Sequence, residues 1–349
     1  MINKLNPWKI PTLTPKGYKE LAEYYSLESI NFKLKKNPTF IRRNLIIGHD
    51  GFLKWLKYAN ARKKVSLVSG FMTSGFLHLG SLAVIKQMVY YQKNYGAKII
   101  IPIADLEAMC VRKTDKIKIK TILIDFLAHF FAAGLSPKNT LIYLQTKNLE
   151  VLKEASLFTG KISLEDLEKI YDRKLNLGEI YSSLVMVADI LYPQALNYES
   201  TLINLGIDEI SHFVLVKEII PLLGKNFYIP SITYNKMITG LNGSKMGKSM
   251  PENSILLIDK PEIAKSKLIK LKNRDMELFQ NTAFNILEWY CEDDLIIKKI
   301  IGLSDKRQAN NLAIDKACNV VENLLKDHQR EYKKNFLKAK KLADKLMDD

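Results

Sequence analysis

Two stretches far apart in the chain hold residues suited to handling a polyphosphate. In Ser69-Gly70-Phe71-Met72-Thr73-Ser74-Gly75-Phe76-Leu77-His78-Leu79-Gly80-Ser81, a short apolar strand (Val65, Leu67, Val68) runs into small residues and one histidine. An amphipathic helix follows, with Leu82, Ile85 and Val89 at helical spacing. A strand that turns through glycines onto a helix start favours anions, because unpaired backbone N–H groups and the helix dipole both point at the turn. The second stretch, Gly243-Ser244-Lys245-Met246-Gly247-Lys248-Ser249-Met250-Pro251, puts Lys245 and Lys248 on a backbone loosened by glycine. Two ammonium groups there suit gripping and releasing phosphates. Alone, the first stretch is an ordinary turn and the second an exposed basic loop; their occurrence together carries the argument.

Between them lies Gly206-Ile207-Asp208-Glu209, at the end of an apolar run, Thr201 to Leu205. Gly206 lets a flat ring approach the backbone, and Asp208 can accept hydrogen bonds from two ribose hydroxyls. Asp105 and Glu107 follow the apolar run Lys98–Ala104, at the strand end where ligands of open α/β sheets collect. Asp189 sits in an otherwise apolar helix near Tyr181 and Met186 and needs a partner if buried. His49, before a turn at Asp50-Gly51, reads as a packing residue.

Elements that alternate strand and helix must position these groups. From Val65 onward the order is strand, helix, the strand Lys98–Ala104, a helix capped by Thr114-Asp115, and the strand Thr140–Leu144. Ile255–Ile258 reads as the last strand, and everything after Lys260 as helix. Residues 1–60 form an extension, 61–260 an α/β domain on a parallel sheet with a helical insertion at about 147–197, and 261–349 an all-α domain.

Composition narrows the partners. The formal net charge of +16 over 349 residues points to a polyanion, nucleic acid first. The final helix concentrates this charge in Lys326, Arg330, Lys333, Lys334, Lys338, Lys340, Lys341 and Lys345. Three widely spaced cysteines, Cys110, Cys291 and Cys318, suggest neither a disulfide framework nor a zinc site. No stretch has the apolar length of a membrane span, and the first residues lack a secretory pattern. The expected setting is the cytoplasm, with no membrane partner.

The two stretches together resemble the "HIGH" and "KMSKS" signatures of class I aminoacyl-tRNA synthetases, here His78-Leu79-Gly80-Ser81 and Lys245-Met246-Gly247-Lys248-Ser249. Within that class the chain resembles the archaeal and eukaryotic tryptophanyl-tRNA synthetase family, through Phe71–Gly75, Ile103–Ala108, Ala188–Gln194, Ser254–Asp259 and Phe284–Asp294, and through Asn6-Pro7-Trp8 and Arg42–His49 near the amino end. It departs at Ser81, Gly247, Thr73, Val68, Pro102, Met186 and Glu209.

The resemblance implies a Rossmann-like fold with a helical anticodon domain, a homodimer, and activation of an amino acid with ATP and Mg2+ before transfer to tRNA, with no protein-bound metal. It implies His78, Lys245 and Lys248 as catalytic residues. Thr73, Ser74, Gly80, Ser81, Gly206, Asp208, Met246, Gly247 and Ser249 would hold ATP. Val68, Glu107, Met186, Asp189 and Glu209 would surround the amino acid, expected to be tryptophan and otherwise tyrosine. The rivals are a small-molecule nucleotidyltransferase and a synthetase-like RNA-binding protein without charging activity.

Overall fold

The run Lys98-Ile99-Ile100-Ile101-Pro102-Ile103 is dominated by β-branched side chains, which lose little χ1 freedom in a strand. In the computed structural model, which describes residues 14–224, 227–248 and 250–348, it is a buried interior strand. The strands are β1 (Ile46–Asp50), β2 (Val65–Val68), β3 (Lys98–Ile103), β4 (Thr140–Leu144), β5 (Ser200–Gly206) and β6 (Ser231–Asn235). They form one sheet in the order β1-β6-β5-β2-β3-β4, parallel throughout except for the β1–β6 pair. The chain winds outward from β2 through β3 to β4, then returns to the other side of β2 with β5 and β6. The crevice at the carboxyl ends of β2 and β5 is therefore the switch point of a Rossmann-like sheet.

Helices cover both faces. They are α1 (Pro15–Tyr24), α2 (Thr39–Arg42), α3 (Phe52–Asn60), α4 (Leu79–Tyr95), α5 (Asp105–Cys110), α6 (Lys116–Ala132), α7 (Leu149–Phe158), α8 (Leu164–Tyr171), α9 (Leu177–Ala195), α10 (Ile210–Ile219), α11 (Pro261–Ile269), α12 (Thr282–Tyr290), α13 (Asp294–Ile301) and α14 (Lys306–Asp348). Leu67, Ile99, Ile101 and Leu202 pack with residues of α3, α4 and α6 and with the carboxyl-terminal helices. Val68, Ile100 and Ile203, one position on, pack with residues of α9 and α10. This is the period-two alternation of a strand buried on both sides.

Local signals set the helix starts. Asp115 accepts a hydrogen bond from the Lys118 amide at 2.9 Å to begin α6. Asn176 and Glu179 form a capping box for α9, which runs on through Pro193.

The sheet differs from the sequence reading in two respects. Ile255–Ile258 is no strand: it makes a single bridge between Leu256 and His78, flanked by the Leu257 amide donating to the Leu77 carbonyl at 2.9 Å and the Leu79 amide to the Ile255 carbonyl at 3.1 Å. Ile255, Leu256 and Leu257 are buried at the entry to α4 while Ile258 is exposed, and the bridge pins the exit of the lysine loop to the histidine turn. The sheet instead gains β1 and β6. Both have polar residues buried inside the fold, His49, Thr233 and Asn235 among them, so neither stands out as apolar in sequence. Asn6-Pro7-Trp8 lies outside the described residues.

The last helix is 43 residues long and lies against α6, α11 and α12. Its buried face includes Ala313, Ala317, Val321, Leu325, Ala339 and Ala343. A polar layer fixes its register on α6: His129 Nδ1 lies 2.9 Å from His328 Nε2, and the Tyr332 hydroxyl donates to Asp125 at 3.1 Å.

Trp55 on α3 is fully buried, donates its indole N–H to the Ser66 carbonyl of β2 at 2.9 Å, and packs on Phe52 and Tyr91. Trp55→Ala is expected to destabilise the protein by about 3–5 kcal/mol, the range for deleting a buried large aromatic. A thermal melt that drops by no more than 2 °C or so, well short of the several degrees such a loss implies, would contradict this.

Candidate active site

Past Val68 the chain keeps company with β3: the Ser69 and Phe71 amides donate to the carbonyls of Ile100 and Pro102, and the Ala104 amide to that of Phe71. This delivers Met72, Thr73 and Ser74 to the switch point. Thr73 is fully buried, and its Oγ1 has no hydrogen-bond partner among the described residues. His78 caps α4, its Nδ1 accepting from the Ser81 amide at 3.4 Å. Burial, with Lys248 and Lys245 nearby, pushes the imidazole down to about 3. It is therefore neutral at physiological pH, and because Nδ1 accepts, the proton sits on Nε2 as a donor. A side chain at Gly80 would meet the His78 ring at 3.0 Å, so glycine is what lets the imidazole lie there.

The lysine loop folds over this turn. A Cβ at Gly75 would fall 2.6 Å from the Lys248 carbonyl oxygen, so the two segments touch through the bare backbone of Gly75. Lys248 Nζ donates to the Met72 carbonyl at 3.0 Å and lies 4.9 Å from the centre of the Phe126 ring and 5.6 Å from that of Phe71. Burial lowers its ammonium to about 8, against the opposing pull of Glu209 and Glu107. Lys245 pairs with Asp208. Burial disfavours its charge, but Asp208 and Glu209 more than offset this, and its pKa is raised. The Met246 side chain is buried in the apolar core, leaving only its backbone for a ligand. Gly247 is tied on both sides to the Ser254 hydroxyl, at 3.2 and 3.0 Å. Ser249 lies outside the described residues.

Asp208 and Glu209 enter from a single 3-10 turn after β5. A side chain at Gly206 would collide with the Asp208 carboxylate, which explains the glycine. Burial and Asp208 raise the Glu209 carboxyl, with Lys245 and Lys248 opposing. Burial likewise raises Glu107, on the first turn of α5, against Arg112 and Lys248. His78, Lys245, Lys248, Asp208, Glu209 and Glu107 thus share one electrostatic neighbourhood.

Asp189 occupies a second one. It accepts from the Tyr143 hydroxyl at 2.7 Å and from Gln145 Nε2 at 2.6 Å, and burial raises it to about 7 despite both bonds. Val68 is buried in the core that also holds Ala188 and Leu191 of α9, with Met186 half-buried against it. Asp105 is committed to the backbone and hydroxyl of Thr146. The sequence reading missed Tyr143, near the end of β4, and Gln145, which opens the 3-10 turn that follows it. It also missed Phe126 and the hydrogen bond of 2.8 Å between Tyr171 and His212, which nothing local in the sequence marks.

Residues 60–338 match the family described as tRNA synthetases class I (W and Y). The chain belongs to that family of class I synthetases. It is 32% identical over 278 residues to the tryptophan–tRNA ligase of Methanopyrus kandleri, covering 77% of this chain and 73% of that one. To the tryptophan–tRNA ligase of Hyperthermus butylicus it is 34% identical over 282 residues, covering 76% and 74%. Its fold is similar to the crystal structure of tryptophanyl-tRNA synthetase from Aeropyrum pernix, with a TM-score of 0.83, 27% identity and 98% of both chains covered.

A carboxyl raised from 3.8 to about 7 binds a proton in the folded protein that the unfolded chain has lost, so its contribution to stability falls as pH rises from about 4 to 7 and is level above. Asp189→Asn removes that dependence, and Gln145, whose Oε1 has no partner among the described residues, can turn to accept from the new amide. Relative to wild type, the variant is expected to gain on the order of 1–3 kcal/mol between pH 5 and 7, with no further gain at pH 8. Parallel urea-denaturation midpoints across this range would refute the assignment.

Proposed function

We propose that this chain activates L-tryptophan with ATP to tryptophanyl-adenylate and transfers the tryptophanyl group to tRNA(Trp). The observation that carries the reading is the closure of the lysine loop onto the histidine turn at the switch point, where Gly75 meets Lys248. The relatives named tryptophan–tRNA ligase support the choice of amino acid.

In the first step the tryptophan carboxylate attacks the α-phosphorus and pyrophosphate leaves. The protein supplies no nucleophile; it positions the reactants and absorbs the charge that builds on the phosphates. Neutral His78 donates from Nε2 to a phosphate oxygen, Thr73 and Ser74 offer hydroxyls, and Gly80 and Ser81 lie at the dipole end of α4. Gly206 and Asp208 hold the adenosine, which requires Lys245 to leave Asp208 for the phosphates. Lys248 leaves its carbonyl and rings in the same movement. Gly247 and the backbone of Met246 line the nucleotide. Mg2+ arrives with ATP as part of the substrate.

Glu107 and Glu209 receive the tryptophan ammonium. Asp189, oriented by Tyr143 and Gln145, accepts the indole N–H between Val68 and Met186. In the second step the 2′-hydroxyl of the terminal adenosine takes the aminoacyl group and AMP leaves. We place the enzyme in the cytoplasm as a homodimer, with the insertion 147–197 contributing to the interface through Leu149, Leu157, Leu164 and Leu177, which are all exposed. The helices after residue 260 form the anticodon domain.

Pyrophosphate–ATP exchange tests the reading amino acid by amino acid. Stimulation by tryptophan is the expected result; stimulation by tyrosine alone would overturn the substrate, and no stimulation would overturn the enzyme. Lys248→Ala is expected to lower the rate of adenylate formation by about 100-fold or more, the scale for losing a group that stabilises transition-state charge. Tryptophan affinity should change far less, and equal losses in both would refute the role. Asp189→Ala is expected to raise the KM for tryptophan and to narrow discrimination against phenylalanine, which has no N–H to satisfy.

A further inference from the structure

Two basic segments that are far apart in sequence meet in the fold. The first follows α5 and opens α6: Arg112, Lys113, Lys116, Lys118 and Lys120, five cations against the single carboxylate of Asp115. The second is the end of α14, with Lys340, Lys341 and Lys345 exposed beside buried Ala339 and Ala343. Lys120 Nζ lies 2.6 Å from Asp344, so the first turns of α6 run alongside the last turns of α14.

We infer that Lys113, Lys116 and Lys118, with Arg112, form the surface on which the acceptor end of the tRNA lies, continuous with the basic end of α14. The inference rests on the proposed charging activity. Location is the first argument. α5 begins at the carboxyl end of β3, and the Val111 amide is bound to the Glu107 carbonyl at 2.8 Å. The Arg112 charge reaches the Glu107 carboxyl, so the segment forms a rim of the site where the terminal adenosine must arrive.

Charge is the second argument. Lys113, Lys116 and Lys118 are exposed, and none of the three, nor Arg112, forms an ion pair among the described residues. Cations elsewhere on the surface are partly neutralised: Lys326 by Glu322, Arg330 by Asp327 and Lys334 by Glu331. Unpaired ammonium groups spaced along one rim suit successive phosphates, and each phosphate neutralised releases counterions and strengthens binding at low salt. Ile117, 81% exposed among them, offers an apolar contact to a ribose.

The test uses the full chain with Lys113, Lys116 and Lys118 all changed to Ala; Arg112 is left in place because its charge acts on Glu107. Binding of a tRNA(Trp) transcript, and of an acceptor-stem minihelix without an anticodon, is titrated against salt, and aminoacylation and pyrophosphate–ATP exchange are measured on the same preparations. The expected result is a roughly tenfold or greater weakening for both RNAs, with the slope of log K against log salt reduced by about 2–3, and exchange within about twofold of wild type. A Lys116→Glu/Lys118→Glu variant should weaken both RNAs at least as much. Unchanged slopes would overturn the inference, and so would a loss confined to the full tRNA. Absence of tryptophan-dependent exchange in the unaltered protein would instead sink the proposed activity, while the binding slopes would still decide whether RNA uses this rim.

Discussion

Two half-buried ammonium groups at the end of a parallel sheet set the terms for everything around them. Partial loss of hydration disfavours a cation unless a partner replaces the water, and Lys245 and Lys248 meet that demand differently. Lys245 has a direct partner in Asp208. Lys248 has one carbonyl, two aromatic faces and the longer-range field of Glu209 and Glu107, and so sits closer to losing its proton. The carboxyls share the strain: burial raises Glu107 and Glu209, while the lysines hold them down. Lys248 is thus the lysine without a direct carboxylate partner, and Lys245 the one that has it.

The close approach that makes this possible depends on missing side chains. Gly75 gives room to the backbone of Lys248, Gly80 to the His78 ring and Gly206 to the Asp208 carboxylate. The Leu256–His78 bridge then holds the exit of the loop at a fixed distance from the histidine turn. The lysines and their carboxylates gather beside β2 and β5, whereas Asp189 lies apart from them, held by Tyr143 and Gln145 between the end of β4 and α9. Burial raises the Asp189 carboxyl to about 7, so less than a full negative charge stands among its apolar neighbours at neutral pH.

The long last helix joins the two halves of this arrangement to a surface. Its register on α6 is set by polar groups buried between them, His129, His328, Asp125 and Tyr332. A one-turn slip would leave these unsatisfied, and an unsatisfied buried polar group costs about 1–3 kcal/mol. That register brings the basic end of α14 beside the basic start of α6.

Much of this was legible in the sequence. The spacing of His78, Gly80, Lys245 and Lys248, the glycine before Asp208 and the strands Val65–Val68, Lys98–Ile103, Thr140–Leu144 and Ser200–Gly206 carry local signals: apolar runs, caps and glycines whose meaning does not depend on distant partners. β1 and β6 were not legible, because their polar residues are buried by contacts made only after folding. Ile255–Ile258 looked like a strand because its side chains are apolar, yet apolarity reports burial and not which backbone supplies the hydrogen bonds. The sequence by itself determined the charges, the glycines and the order of the elements. The tertiary structure decided which charges meet: that Lys245 takes Asp208, that Lys248 lies on Phe126, that Asp189 is held by Tyr143 and Gln145, and that Lys120 at the start of α6 reaches Asp344 at the end of α14. Pairings across such separations depend on how the sheet winds and how helices register, and no local pattern encodes either.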